Sequence, residues 1–345
     1  MTGPVLPLTL IRDLYTRMLL TRIVDDYAWK LHTQGHIDII ARACGHEAAQ
    51  VASAICIEKG VDFTLPYYRD LGVVLTIGMT SYEVFRTYLQ AQTTHSCAQD
   101  HQQPTEIQEF PQYHWGYHKH NTVTGPAPVA TQILHAAGIA FASKLRKARA
   151  VTIAYCGDGA TTEPDFLEGV RFSAQHQLPV IFICEQDCTP FSSNDTLTTH
   201  TQNIELPREV TYQRIDGTDV IAVYTAMCKA MQLARDGHGP ILLELCVTRP
   251  PNQQSNEESV AWVDPLLRCQ HRLQQQEAWD EAWATQLRER LTLEVDQALQ
   301  DALRDTPVHH NNTAERSHEI VHLYRASKND AGVNLKWGHA NSGER

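Results

Sequence analysis

Apolar residues recur at helical spacing along the first thirty positions, through Leu10, Ile11, Leu14, Tyr15, Met18, Leu19, Ile23, Val24, Tyr27 and Leu31. That stripe predicts a long amphipathic helix with one face in a core. Gly45-His46-Glu47-Ala48 opens a second helical segment through Val51, Ala52 and Ile55. Further along, the period changes. Val151, Ile153, Ala154, Tyr155 and Cys156 form a short continuous apolar run, and residues 180–184 and 241–247 repeat it. Runs without alternation belong to parallel strands covered on both faces. Between the first two, Phe166, Leu167, Val170 and Ala174 keep helical spacing, so the unit reads strand, helix, strand. Residues 136–142 predict a helix of small residues. Thr218 and Asp219 cap a helix carrying Val220, Val223, Tyr224, Met227 and Met231, which Gly237 ends. Asp264-Pro265 starts a helical region whose apolar face is Trp283, Leu287, Leu291, Val295, Ala298, Leu299 and Ala302.

The expected fold is α/β, a doubly wound parallel sheet with helices on both faces, an N-terminal helix and a C-terminal helical region. The expected division is an N-terminal helix over 1–34, an α/β domain over 35–263, a helical region over 264–306 and a flexible tail over 307–345. Residues 65–70, Leu-Pro-Tyr-Tyr-Arg-Asp, read as an exposed turn, and residues 93–121, rich in His, Gln and Thr and broken by Pro104 and Pro111, read as a long loop.

Composition narrows the function. A net charge of -11 argues against nucleic acid and anionic membranes as partners. No run approaches the roughly 20 apolar residues of a membrane span, and the first ten residues lack the basic region of a signal peptide. A cytoplasmic location is expected. The nine cysteines are dispersed without a Cys-x-x-Cys pair, which favours buried thiols over disulfides. His95, Cys97, His101, His114, His118 and His120 raise the question of a transition metal, but they lack the tight paired spacing of structural zinc motifs.

The candidate chemistry sits at the end of the first buried strand. Gly157 and Gly159 flank Asp158, so backbone can approach an anion there while the carboxylate holds a divalent cation against it. Twenty-six residues separate Gly159 from Gln186-Asp187, which closes the second strand. A right-handed crossover brings both strand ends to one sheet edge, where Asp158 and Asp187 can share an ion.

By spacing and order this segment resembles the thiamine diphosphate motif, which opens with Gly-Asp-Gly and closes with Asn-Asn. Other anchors match in order: Gly45-His46-Glu47-Ala48, Pro66-Tyr67-Tyr68-Arg69, His114-Trp115-Gly116, Pro128-Val129-Ala130-Thr131-Gln132 and Arg214-Ile215-Asp216-Gly217. Together they resemble the alpha subunit of the thiamine-dependent dehydrogenase component of 2-oxo acid dehydrogenase complexes, over roughly residues 10–303. The branched-chain, or 2-oxoisovalerate, members look most similar; pyruvate and acetoin members are alternatives.

The resemblance implies that Tyr68 and Arg69 hold the diphosphate, that Val129 supports the thiazolium with Ala127 beside it, and that Gly159 and Ala160 offer backbone groups. It implies magnesium on Asp158, Asp187 and the backbone carbonyl of Thr189, and a potassium loop at Pro128, Thr131 and Gln132. A beta subunit in a two-alpha, two-beta assembly and a lipoyl-bearing acyltransferase are the implied partners. Several positions depart from the family, among them Thr189 for a Tyr, Gln254 for a Ser, and Pro126 and Ala127 for serines; three bear most on the chemistry. Asp187 stands where Asn is usual, Glu185 replaces an Arg or Gln beside the diphosphate, and Gln253 stands at a His near the reaction centre. Gln253 cannot exchange protons near neutral pH. A catalytically impaired paralogue, kept as a structural or cofactor-binding subunit, is therefore the rival expectation.

Overall fold

The computed structural model describes residues 6–37, 40–98, 114–117, 120–125, 128–188, 205–250 and 262–306; the tail expected over 307–345 lies outside them. The chain runs α1 (Leu8–Thr33), α2 (Glu47–Ala54), β1 (Phe63–Leu65), α3 (Leu71–Ile77), α4 (Ser81–Ala98), α5 (Thr131–Leu145) and β2 (Thr152–Gly157). It continues through α6 (Pro164–Gln175), β3 (Val180–Asp187), β4 (Thr211–Asp216), α7 (Val220–Arg235), β5 (Ile241–Val247), α8 (Pro265–Gln275) and α9 (Glu281–Asp305). The five strands form one parallel sheet in the order β1-β2-β3-β5-β4.

The continuous apolar runs have the expected cause. Ile153, Tyr155, Ile181, Ile183, Leu243 and Leu245 enter one core with α1, α2, α7 and the C-terminal helices. Their strand neighbours Ala154, Cys156, Phe182, Cys184 and Leu242 enter a second core with Ile133, Ala136, Phe166 and Val170 of α5 and α6. Successive strand side chains point to opposite faces, so a strand covered twice needs an apolar residue at every position.

Helix starts follow their sequence signals. Asp219, Asp264 and Asp280 each accept a hydrogen bond from a backbone N–H in the first turn of α7, α8 and α9. The C-terminal region is thus two helices, and α9 carries the stripe foreseen from Leu287 to Ala302.

Two expectations need correction, and two strands were not foreseen. The loop expected from residue 93 begins later, because α4 continues to Ala98. Its buried face of Val84, Phe85 and Tyr88 fixes the helix, and each further turn then costs little despite weak helix formers. The turn at 65–70 is not exposed: Leu65 and Asp70 are buried, and Tyr67, Tyr68 and Arg69 are partly covered. Strands β1 and β4 carried no legible pattern. The first has three residues, and the second is an edge strand in which Ile215 is the buried position. Among the described residues no helix is long and apolar enough to cross a membrane.

Gly45 explains how the α2 loop meets the sheet edge. It adopts φ +97°, and a Cβ there would collide with the carbonyl oxygen of Thr248, just past β5. Both the dihedral and the approach demand glycine. Gly45→Ala should therefore lose about 2–4 kcal/mol of stability, read by urea unfolding; a loss below about 0.5 kcal/mol would contradict the close approach.

Candidate active site

The register aligns the carboxyl ends of the central strands. Gly157 lies opposite Glu185, and Asp187 opposite Val247. Beyond β2 the chain turns at once into a short 3-10 segment, Asp158–Thr162. Side chains of that segment lock it: Thr161 donates to the Asp158 carbonyl at 2.7 Å and Thr162 to the Gly159 carbonyl at 2.9 Å. One Asp158 carboxylate oxygen accepts from the Gly159 N–H at 2.8 Å. The other accepts from the Gln186 amide at 3.2 Å, and the same amide nitrogen donates to the Asp187 carbonyl at 3.1 Å. Gln186 thus ties the two acidic residues together across the β2–β3 edge. Gly159 is exposed, and a Cβ built on it would meet nothing within 4 Å among the described residues.

Asp187 is buried and ion-paired with Arg249, which follows β5 and places both Nε and Nη2 on the same carboxylate oxygen. Where the resemblance had Asn, this chain has an added negative charge, and it holds an arginine against it. Arg249 lies in the polar exit of β5. The signal for it was a charge balance: a buried carboxylate needs a cation or a proton.

Glu185 is turned away from the edge into the interior. Its Oε2 accepts from the Tyr67 hydroxyl at 2.7 Å, from His46 Nδ1 at 2.7 Å and from the Gln50 amide at 3.2 Å. Gln50 also donates to the Arg69 carbonyl at 3.1 Å and accepts from the Gly72 N–H at 2.9 Å, so one side chain of α2 fastens the Tyr68-Arg69 turn and the start of α3. Trp115 adds a hydrogen bond to the Tyr68 carbonyl at 3.0 Å, and Arg69 donates to the Arg42 carbonyl at 2.8 Å. Burial, and then the Glu185 charge, push the Tyr67 phenol well above its ordinary range, so it stays protonated and donates. The Asp70 carboxyl is likewise raised well above its usual range, by burial first and Glu185 next. Sequence reasoning named His46 and Tyr67 as matching positions without a role, and missed Gln50 and Asp70.

Of the expected site residues, Tyr68, Arg69, Asp158, Gly159, Ala160, Glu185 and Asp187 lie on segments joined by these bonds. Pro128 and Val129 are exposed ahead of α5. Thr131 donates to Asp165 at 2.9 Å and Gln132 to the Tyr155 carbonyl at 3.0 Å, so both fasten the start of α5 to its neighbours. Ala127, Thr189 and Gln253 lie outside the described residues, as do His101 and His118 of the histidine-rich stretch. Among the described residues no three His, Cys, Asp or Glu side chains converge as metal ligands.

The residues present fit a hard cation paired with an anion. The Asp158 carboxylate, the Gln186 amide and the Asp187 carbonyl meet at one edge, and among the described residues the buried Gln186 Oε1 has no hydrogen-bond partner and a Cβ at Gly159 would meet nothing within 4 Å. Oxygen donors of this kind suit magnesium or calcium rather than a softer metal.

Comparison with known proteins bears on what this edge does. The model of the family described as "Dehydrogenase E1 component" matches residues 15–311. The chain is 34% identical over 274 residues to the 2-oxoisovalerate dehydrogenase subunit alpha of Bacillus subtilis (strain 168), covering 75% of this chain and 80% of the relative. It is 30% identical over 309 residues to the pyruvate dehydrogenase E1 component subunit alpha of Staphylococcus aureus (strain Mu50 / ATCC 700699), covering 84% of this chain and 77% of the relative. The corresponding Bacillus subtilis pyruvate subunit is 28% identical over 308 residues, covering 85% and 77%.

The raised Asp70 carboxyl has a pH consequence. An unfolded Asp releases its proton near pH 3.9, whereas the folded one keeps it to higher pH. The folded state then holds more protons, and this contribution to stability is lost as pH rises through the folded value. Asp70→Asn retains an acceptor for the Tyr67 N–H and removes the titration. Relative to wild type, its unfolding free energy should gain about 1 kcal/mol or more between pH 4 and pH 7; parallel urea-unfolding profiles would contradict this.

Proposed function

The chain belongs to the dehydrogenase E1 component family, and on that premise we propose that it is the alpha subunit of a thiamine diphosphate-dependent 2-oxoisovalerate dehydrogenase. The reaction is oxidative decarboxylation of a branched-chain 2-oxo acid with acyl transfer to lipoamide. The greater identity to the 2-oxoisovalerate subunit than to the pyruvate subunits supports that choice of substrate. The observation that carries the reading is the link that Gln186 makes between the Asp158 carboxylate and the Asp187 carbonyl, beside Gly159, where a Cβ would meet none of the described residues within 4 Å.

When bound, thiamine diphosphate supplies the electron sink that lets a 2-oxo acid lose carbon dioxide. In this reading Asp158 and Asp187, with the Thr189 carbonyl, hold magnesium, and Gly159 and Ala160 let backbone approach the diphosphate. Tyr68 and Arg69 bind the diphosphate from a turn that Gln50 and Trp115 hold still. Arg249 offsets the charge that Asp187 adds, and with Glu185 turned inward its Oε2 accepts from His46, Tyr67 and Gln50. An amide side chain such as that of Gln253 can donate a hydrogen bond but transfers no proton. A beta subunit completes the site, two alpha with two beta, and a lipoyl-bearing acyltransferase receives the acyl group.

A second reading keeps the binding and loses the turnover. The pairing of Asp187 with Arg249 favours it, because a cation has to share that carboxylate with a guanidinium. One experiment separates the two. The chain is co-expressed with a beta subunit, cofactor binding is followed by calorimetry with magnesium or chelator, and decarboxylation of 2-oxoisovalerate and pyruvate is measured with an artificial electron acceptor. The proposal expects magnesium-dependent binding that Asp158→Ala abolishes, and faster turnover of 2-oxoisovalerate. Gln253→His should raise that turnover about tenfold or more. Binding without turnover in either protein would favour the second reading, and equal affinity with chelator would refute the metal assignment.

A further inference from the structure

Two cysteines far apart in sequence meet on the face of the sheet opposite α5 and α6. Cys56 follows the last turn of α2 and Cys228 lies in the middle of α7. Their sulfur atoms are 3.3 Å apart. Both residues are partly exposed, and both are free thiols. Cys56 also lies within reach of the Ala52 carbonyl, at 3.5 Å, and the Tyr224 carbonyl, at 3.9 Å, so its thiol is held between α2 and α7.

We propose that Cys56 and Cys228 form a reversible disulfide, a covalent clamp between α2 and α7 that small disulfides such as oxidised glutathione install and small thiols remove. The sulfurs need to close from van der Waals separation to the roughly 2.05 Å of a disulfide bond, which side-chain rotation on two packed helices can supply.

Cys228 is the attacking group. The hydrogen bond from Cys56, opposed by burial and supported by Tyr224, lowers its thiol to about 6, while the Cys56 thiol is raised by the same bond and by burial. The Cys228 thiolate attacks one sulfur of the small disulfide, that S–S bond breaks, and one small thiolate leaves. Cys56 then loses its proton and attacks the Cys228 sulfur of the mixed disulfide, expelling the second small thiolate. The two cysteines give up two electrons and two protons, and the small disulfide takes them up as two thiols.

The other close thiols differ in ways that matter. Cys184 and Cys156 are wholly buried within the sheet, out of reach of an oxidant. Cys246 accepts from Arg214 Nε at 2.9 Å beside Cys188, at the end of the sheet next to Asp187. The Cys56–Cys228 pair stands apart from that edge. It nonetheless acts on the helix that supports it, because α2 carries Gln50, follows directly on His46, and both hold Glu185.

The test uses the full-length chain treated with oxidised glutathione under native conditions, followed by blocking of free thiols, protease digestion and mass spectrometry without reductant. The expected product is one intramolecular bond linking the Cys56 and Cys228 peptides, with the loss of two hydrogens, and dithiothreitol should reverse it. Because the bond closes a long loop of chain, the melting temperature of the oxidised protein should exceed that of the reduced protein by about 3 °C or more. Cys56→Ser and Cys228→Ser should each abolish that difference. The mapping needs no variant, so it stands even if a serine variant fails to fold. Recovery of both cysteines as blocked free thiols, stable glutathione adducts on Cys228, or a disulfide at Cys188–Cys246 alone would overturn the proposal.

Discussion

A carboxylate with no exposure to solvent sits at the centre of this molecule, and what it demands organises the ground around the candidate site. Glu185 ends up on the interior side of β3, and an ion removed from water there needs hydrogen-bond donors to replace it. The donors come from two places in the sequence: His46 and Gln50 at and within the start of α2, and Tyr67 in the turn after β1. Satisfying one charge therefore fixes α2 and the Tyr68-Arg69 turn against the sheet. The same α2 is pinned at its start by Glu47, which pairs with Arg22 of α1 and accepts from the Gly45 N–H. Arg22 reaches on to Asp264, the cap of α8.

Charge is thus arranged in two adjacent compartments. Inside, burial first and the Glu185 charge next raise the cost of ionising Asp70 and Tyr67, so both are held toward their neutral forms. At the rim, Gln186 links the Asp158 carboxylate to the Asp187 carbonyl, and Arg249 neutralises the Asp187 carboxylate. Among the described residues nothing would meet a Cβ at Gly159 beside this rim. An acidic residue at 185 would oppose a diphosphate if it faced the rim. Turned inward, its Oε2 accepts from the scaffold instead.

Much of this fold was legible from period alone. The unbroken apolar runs of β2, β3 and β5 announced strands covered twice, and Asp219 and Asp264 marked two helix starts, whereas the start of α9 at Asp280 was not read. What stayed hidden has physical causes. An edge strand such as β4 buries one residue and is held by side-chain bonds, Tyr212 and Arg214 to Glu244, that no local pattern encodes. The end of α4 was misread because its polar last turns follow from a buried first half, not from propensity. At the site, Gly157-Asp158-Gly159 and Asp187 could be read from spacing, whereas the direction of the Glu185 side chain could not. It depends on partners 118 to 139 positions away in sequence. Arg249 was similarly concealed in a polar segment until the extra charge at Asp187 was set beside it.

The central claim is that Glu185 is held by the scaffold and not presented to a ligand, and a double-mutant cycle with His46 tests it most directly. Unfolding free energies of wild type, His46→Ala, Glu185→Ala and the double variant yield the energy shared by the two side chains. A buried hydrogen bond to a charged group predicts a coupling of at least about 1 kcal/mol. Losses that simply add, to within about 0.3 kcal/mol, would contradict it.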